Sequence, residues 1–207
     1  MKSLHANQKA DFYRNTKRGK ILRAMTLTDI THWGMDAFIG LILVLFVIQY
    51  IDGGNATHLG LAYFLYKFVA ATASIPIGKF FDRHKGYIDE VTGLALASFI
   101  AGGTYVLLSF ATELWQLYAA MAVLGFSTIL NLTSWRIVFY TNVRKSVYGE
   151  TVAIYHGIYY VAEGLLLALG GFFGDTFGFQ SVVLWGGVII FAGGFIPLTI
   201  RYLVPKK

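Results

Sequence analysis

Long apolar runs alternate with short polar breaks along the 207 residues. A helix needs about 20 mostly apolar residues to cross a hydrocarbon layer about 30 Å thick at about 1.5 Å per residue. Six stretches meet that length, at about 30–51, 57–80, 91–112, 114–140, 150–173 and 181–204. The connections are short and carry turn residues, as in DGGN at 52–55 and GDTFG at 174–178. Alternating segments of about 10 residues, the mark of a membrane β-barrel, are absent from the sequence. The pattern predicts an all-α membrane protein. It divides into a basic N-terminal segment (1–24), a six-helix transmembrane domain (25–204) and a short tail (205–207).

Composition agrees: 56% of the residues are hydrophobic and 14% charged, too few charges to cover a soluble domain of this size. The 23 glycines suit helices that pack backbone to backbone in lipid, and the lack of cysteine removes thiolate metal sites and cysteine nucleophiles. The polar first 20-odd residues, ahead of an apolar run too long for an h-region, do not read as a signal peptide.

Charge sets the expected orientation. Fifteen of the 17 Lys and Arg residues fall before residue 30, in the loops at 78–90 and 141–149, or at the C-terminus, and the intervening loops have none. The positive-inside rule therefore places both termini in the cytoplasm of an inner or plasma membrane of bacterial type. The net charge of +6 is then a topology signal and not a nucleic-acid footprint, and the basic first 23 residues can rest on anionic headgroups.

The two remaining cations, Lys67 and Arg136, lie inside spans, as do the acids Asp36 and Glu163. A charge at the bilayer centre costs roughly 2.5–3.5 kcal/mol on insertion scales, which makes each a candidate for a solute or proton pathway. Counting residues from the span ends puts Asp36 and Arg136 at one level and Lys67 and Glu163 at a second, deeper one. On helix 5, His156, Tyr159, Tyr160 and Glu163 recur at helical spacing and form one stripe. Tyr63, Tyr66 and Lys67 form a shorter face on helix 2, and Asn131, Trp135 and Arg136 offer contacts on helix 4. Plainer readings stand beside these: Arg136 can snorkel, Trp135 can be an interface aromatic, the tyrosines can anchor or pack, and His32 can be structural. Asp36 and Glu163 are the proton-binding candidates. Gly170, Gly174 and Gly178, and the pairs Gly186–Gly187 and Gly193–Gly194, are expected to pack helices.

Between the second and third runs lies GKFFDRHKG, residues 78–86, in which Gly78, Asp82, Arg83 and Gly86 resemble the G-x-L-A-D-R-x-G signature of the major facilitator superfamily. One extra residue precedes Gly86, and Tyr87 and Ile88 replace the usual basic pair. GGFFGDTFGFQSVVLW at 170–185 is similar to the fifth-to-sixth helix passage of that superfamily, and THWGMDAFIGLILVLF at 31–46 to first helices of its drug exporters. The fourth-helix R-x-x-x-G pattern has Gly125 but Leu117 and Met121 where Arg is expected, and the fifth-helix antiporter motif is missing.

The resemblance covers one six-helix half of the superfamily fold. It implies a secondary active transporter of a small solute by alternating access, with drug or metabolite export suggested by the first helix. It also implies pairing with a second copy, or with a related half, about a twofold axis along the membrane normal. In such a dimer Asp36 and Arg136 would face one another across the cavity, and Lys67 of one subunit would approach Glu163 of the other as a gate. Asp82 would latch the cytoplasmic side by meeting Arg144 or the positive N-terminal end of the partner's helix 5. Gly78 would let helices 2 and 3 turn closely. A nontransporting facilitator-like subunit is the alternative. Among enzyme signatures, the intramembrane serine motif, the H-E-x-x-H zinc site and the phosphate loop are all absent from the sequence, so no catalytic residue, cofactor or metal is expected.

Overall fold

The computed structural model describes residues 11–83 and 86–203. His84 and Lys85 of the GKFFDRHKG motif, the terminal lysines Lys2, Lys9, Lys206 and Lys207, and the tail at 205–207 lie outside the described residues. Among the described residues, six helices are long and apolar enough to cross a membrane: α1 (Lys17–Tyr50), α2 (Ala56–Phe81), α3 (Ile88–Leu108), α4 (Leu114–Asn142), α5 (Lys145–Phe177) and α6 (Phe179–Tyr202).

The first helix starts well before residue 30, so residues 17–24 belong to it and not to a separate segment. Thr16 explains the start: in extended conformation, it accepts a hydrogen bond from the Gly19 amide at 3.2 Å through its side chain. Within α1, Ile30–Gly34 forms a π-helical turn between two α-helical stretches. Asn55 caps α2 by accepting from the His58 amide at 3.0 Å, and Glu113 with Gln116 forms a capping box at the start of α4. Gly178 alone joins α5 to α6, at φ 85° and ψ 151°, a conformation that a side chain disfavours strongly.

The helices follow one another in space as α2, α4, α3, α6, α1, α5. One core cluster centres on Leu43, Phe46, Leu117 and Val183, and another, nearer the termini, on Leu22, Met25, Leu94, Val138 and Phe139. Glycines set the closest crossings. A Cβ on Gly125 would lie 2.2 Å from the Tyr66 carbonyl oxygen, and one on Gly170 would lie 2.4 Å from that of Phe38, so α4 meets α2 and α5 meets α1 backbone to backbone. Gly186, Gly187, Gly193 and Gly194 are likewise packed against neighbours, as the small-residue pattern predicts.

The helices at the two ends of this order differ from the rest. In their most apolar windows α2 is 11% buried and α5 6% buried, against 44–56% for the other four. Two whole helix faces are left unfilled by the bundle.

Candidate functional site

The charged side chains inside the spans, with the tyrosines that hold them, gather in two layers. Nearer the termini, Asp29, Trp33, Trp135, Arg136, Tyr155 and Tyr159 line a cavity of about 330 Å³ together with Leu132, Tyr140 and His156. Asp29 is buried on α1 and accepts a hydrogen bond from the Tyr155 hydroxyl of α5. Arg136 projects from α4 as an exposed guanidinium on the same cavity. Asn131 is buried and accepts from the Trp33 indole N–H at 3.0 Å, which ties α4 to the π-helical turn of α1. The Asn131 amide nitrogen and the Trp135 indole nitrogen have no hydrogen-bond partner among the described residues. Trp135 is chiefly a core residue, its ring stacked on Phe139 at 4.4 Å.

The second layer sits around Asp36. Its carboxylate accepts from the Tyr105 hydroxyl of α3 at 2.5 Å, and both Lys67 of α2 and Glu163 of α5 are within electrostatic reach of it. The Lys67 ammonium lies over the Tyr66 ring, 5.0 Å from its centroid, and Tyr66 is held by Thr128 of α4 at 2.7 Å. Glu163 accepts from the Tyr159 hydroxyl at 3.0 Å. Each of the three acids is thus held by one tyrosine: Asp29 by Tyr155, Glu163 by Tyr159 and Asp36 by Tyr105. Tyr155 and Tyr159 stack one turn apart on α5, with ring centroids 5.9 Å apart, and so connect the two layers.

Several placements differ from the sequence expectation. The acid that shares a cavity with Arg136 is Asp29, whereas Asp36 belongs to the layer of Lys67 and Glu163. The reason is that α1 begins earlier and contains the π-helical turn, so a count from residue 30 misplaces the level of Asp36. The α5 stripe splits in two. Tyr159 and Glu163 turn inward, while His156 and Tyr160 are exposed and stack on each other at 5.5 Å. Asp29, Tyr105, Trp33 and Tyr155 join the site without any expectation from the sequence. Asp29 stands seven residues before Asp36, two helical turns on one face, which is the signal that could have found it.

A family model decides the relationship: that of the Major Facilitator Superfamily matches residues 27–207. The chain belongs to the Major Facilitator Superfamily. It is accordingly an integral membrane protein of a family of solute transporters. No curated protein and no solved structure gives a match. Within this superfamily member, the signature loop has Asp82 and Arg83 exposed at the end of α2. The turn is made by Gly86, at φ 111°, and not by Gly78, around which a Cβ would meet open space. Arg144, in the link between α4 and α5, lines a small basic cavity with Arg14, Thr16, Lys17 and Arg18.

Proposed function

We propose that two copies of this chain form a secondary active transporter that works by alternating access, with the termini in the cytoplasm. The solute is small and polar or zwitterionic, and the pathway is lined by Asp29, Asp36, Lys67, Arg136, Tyr159 and Glu163. One observation carries the reading: Lys67 is exposed near the middle of α2, on a face with the exposed Phe64 and Phe68, and within electrostatic reach of Asp36. An ammonium group facing lipid at that depth costs roughly 2.5–3.5 kcal/mol on insertion scales. A second six-helix unit placed against α2 and α5 encloses it in a wet, charged cavity and covers the two barely buried helices.

The basic loops support the orientation, because Arg83, Arg144 and Lys145 lie with Arg14, Lys17 and Arg18 on the side of the termini. The three tyrosine-held acids support proton coupling, since a carboxyl is the group that carries a proton while solutes exchange.

Cysteine is absent, so single cysteines report cleanly. Phe64→Cys on α2 combined with Val161→Cys on α5 should give a disulfide-linked dimer in native membranes. The purified protein in vesicles should move a zwitterionic solute from a panel, faster with a proton gradient. Monomeric protein that transports, or dimers that move nothing across the panel, would overturn the proposal.

A further inference from the structure

Two cavities at the end of the bundle that carries the termini have no part in the pathway, and together they have the chemistry of one ligand. From their arrangement we infer that the chain binds an anionic glycerophospholipid of the cytoplasmic leaflet, headgroup in one cavity and acyl chain in the other. This does not depend on transport or dimerisation, and it takes only the cytoplasmic orientation from the reading above.

The first cavity, about 260 Å³, is lined by Arg14, Thr16, Lys17, Arg18 and Arg144. Four cations surround it, and no acid lines it among the described residues. Thr16 uses its hydroxyl oxygen to cap the Gly19 amide, which leaves Arg14, Lys17 and Arg18 to define what enters. The volume lies below the roughly 300 Å³ at which pockets for drug-sized solutes begin, and a phosphate with a small polar substituent suits it better.

The second cavity is a groove of about 610 Å³ between the strap of residues 12–16 ahead of α1, α1 itself and α5, lined chiefly by Phe12, Tyr13, Leu27, Ile30, Ile154 and Ile158. Its polar members are already engaged. The Thr26 hydroxyl donates to the Leu22 carbonyl at 2.9 Å, and the Arg23 guanidinium donates to the Phe12 carbonyl at 2.7 Å, pinning the strap over the groove. Gly157 leaves open space where a side chain would fill the floor. The groove therefore offers an occupant mainly apolar walls.

Tyr13 lines the groove and Arg14 the basic cavity, so consecutive residues form the rim between them. An apolar slot with a four-cation pocket at its end matches an anionic amphiphile. A free phosphate would leave the slot unfilled. A second copy of this chain would bring the same cations against these, and like charges repel.

The test is native mass spectrometry of the full chain purified in detergent, with dioleoyl phosphatidylglycerol, phosphatidylcholine of the same chains, and glycerol 3-phosphate as probes. Each basic side chain near an anionic headgroup is worth roughly fivefold. Phosphatidylglycerol should be retained about 25-fold or more over phosphatidylcholine, and Arg14→Ala with Arg18→Ala should lower that ratio about 25-fold. Gly157→Phe should weaken retention of both lipids, and Leu27→Gln, at an exposed position, should do so more mildly; thermal unfolding of each variant checks that it is folded. Equal retention of the two lipids, or an unchanged ratio in the double Arg variant, overturns the inference. Full displacement of phosphatidylglycerol by glycerol 3-phosphate would identify a soluble-phosphate site instead. A shift in the monomer–dimer ratio in Gly157→Phe with lipid retention unchanged would identify an interface between copies.

Discussion

Gly125→Ala adds one methyl group at the crossing that holds Lys67 in place, and its effect can be worked from the geometry. The new Cβ would lie 2.2 Å from the Tyr66 carbonyl oxygen, 3.0 Å from its carbonyl carbon and 3.1 Å from its Cα. All three are backbone atoms, so no side chain can swing away, and α2 has to move away from α4. Overpacking of this kind costs about 3 kcal/mol at the upper end of the usual range. Alanine in place of glycine in a helix returns about 1 kcal/mol. A net loss of about 2 kcal/mol corresponds to a fall in Tm of about 4–8 °C for a chain of this size.

Gly103→Ala is the matched control. It lies in α3 with nothing within 4 Å of the added methyl carbon, so the helical gain alone should apply and the Tm should hold or rise by a few degrees. Thermal unfolding in one detergent compares the two. The shift of α2 also moves Tyr66 away from Thr128, now 2.7 Å distant, and carries Lys67 from Asp36, so flux in vesicles should fall in Gly125→Ala and not in Gly103→Ala. If both variants unfold alike, the backbone contact between α2 and α4 is wrong. If Gly125→Ala is destabilised but transports normally, the position of Lys67 does not matter to the pathway.

Other predictions concern the charges directly. Asp29→Asn should reduce flux at least tenfold with little change in Tm, whereas Tyr155→Phe, which loses a hydrogen bond to a buried carboxyl, should cost about 2 kcal/mol and lower the Tm by about 4–8 °C; the pair of assays separates the two roles. Lys67→Glu and Glu163→Lys should each abolish flux, and the double exchange should recover part of it; a double variant no better than either single one removes the gate pairing. Asp82→Asn should increase labelling of pathway cysteines from the cytoplasmic side, and unchanged labelling would refute the latch.

The spans were legible because membrane crossing imposes a length that composition alone reveals, and five of the six helices begin within a few residues of their apolar runs. The start of α1 was not, since Lys17, Arg18 and Lys20 are helix-compatible but polar, and hydropathy sees only the apolar part. The same blind spot hid Asp29. It lies just ahead of the apolar run, where an acid reads as surface, yet the fold buries it against Tyr155. Tyr105 was hidden for a different reason: a tyrosine near a span end reads as an interface anchor, and only the fold brings its hydroxyl across from α3 to Asp36 of α1. Exposure around Gly78 likewise could not be read from a motif, whereas the packing of Gly170 and Gly186 followed from small-residue spacing.

The π-helical turn at Ile30–Gly34 makes the first span two rods on one axis with a joint between them. One rod carries Asp29 and is fastened to α5 through Tyr155; the other carries Asp36 and is fastened to α3 through Tyr105. Glu163 sits within electrostatic reach of both acids. Any twist at the joint therefore registers as a change in how the two acids share one neighbour, which couples the backbone of a single helix to the charge balance of both polar layers.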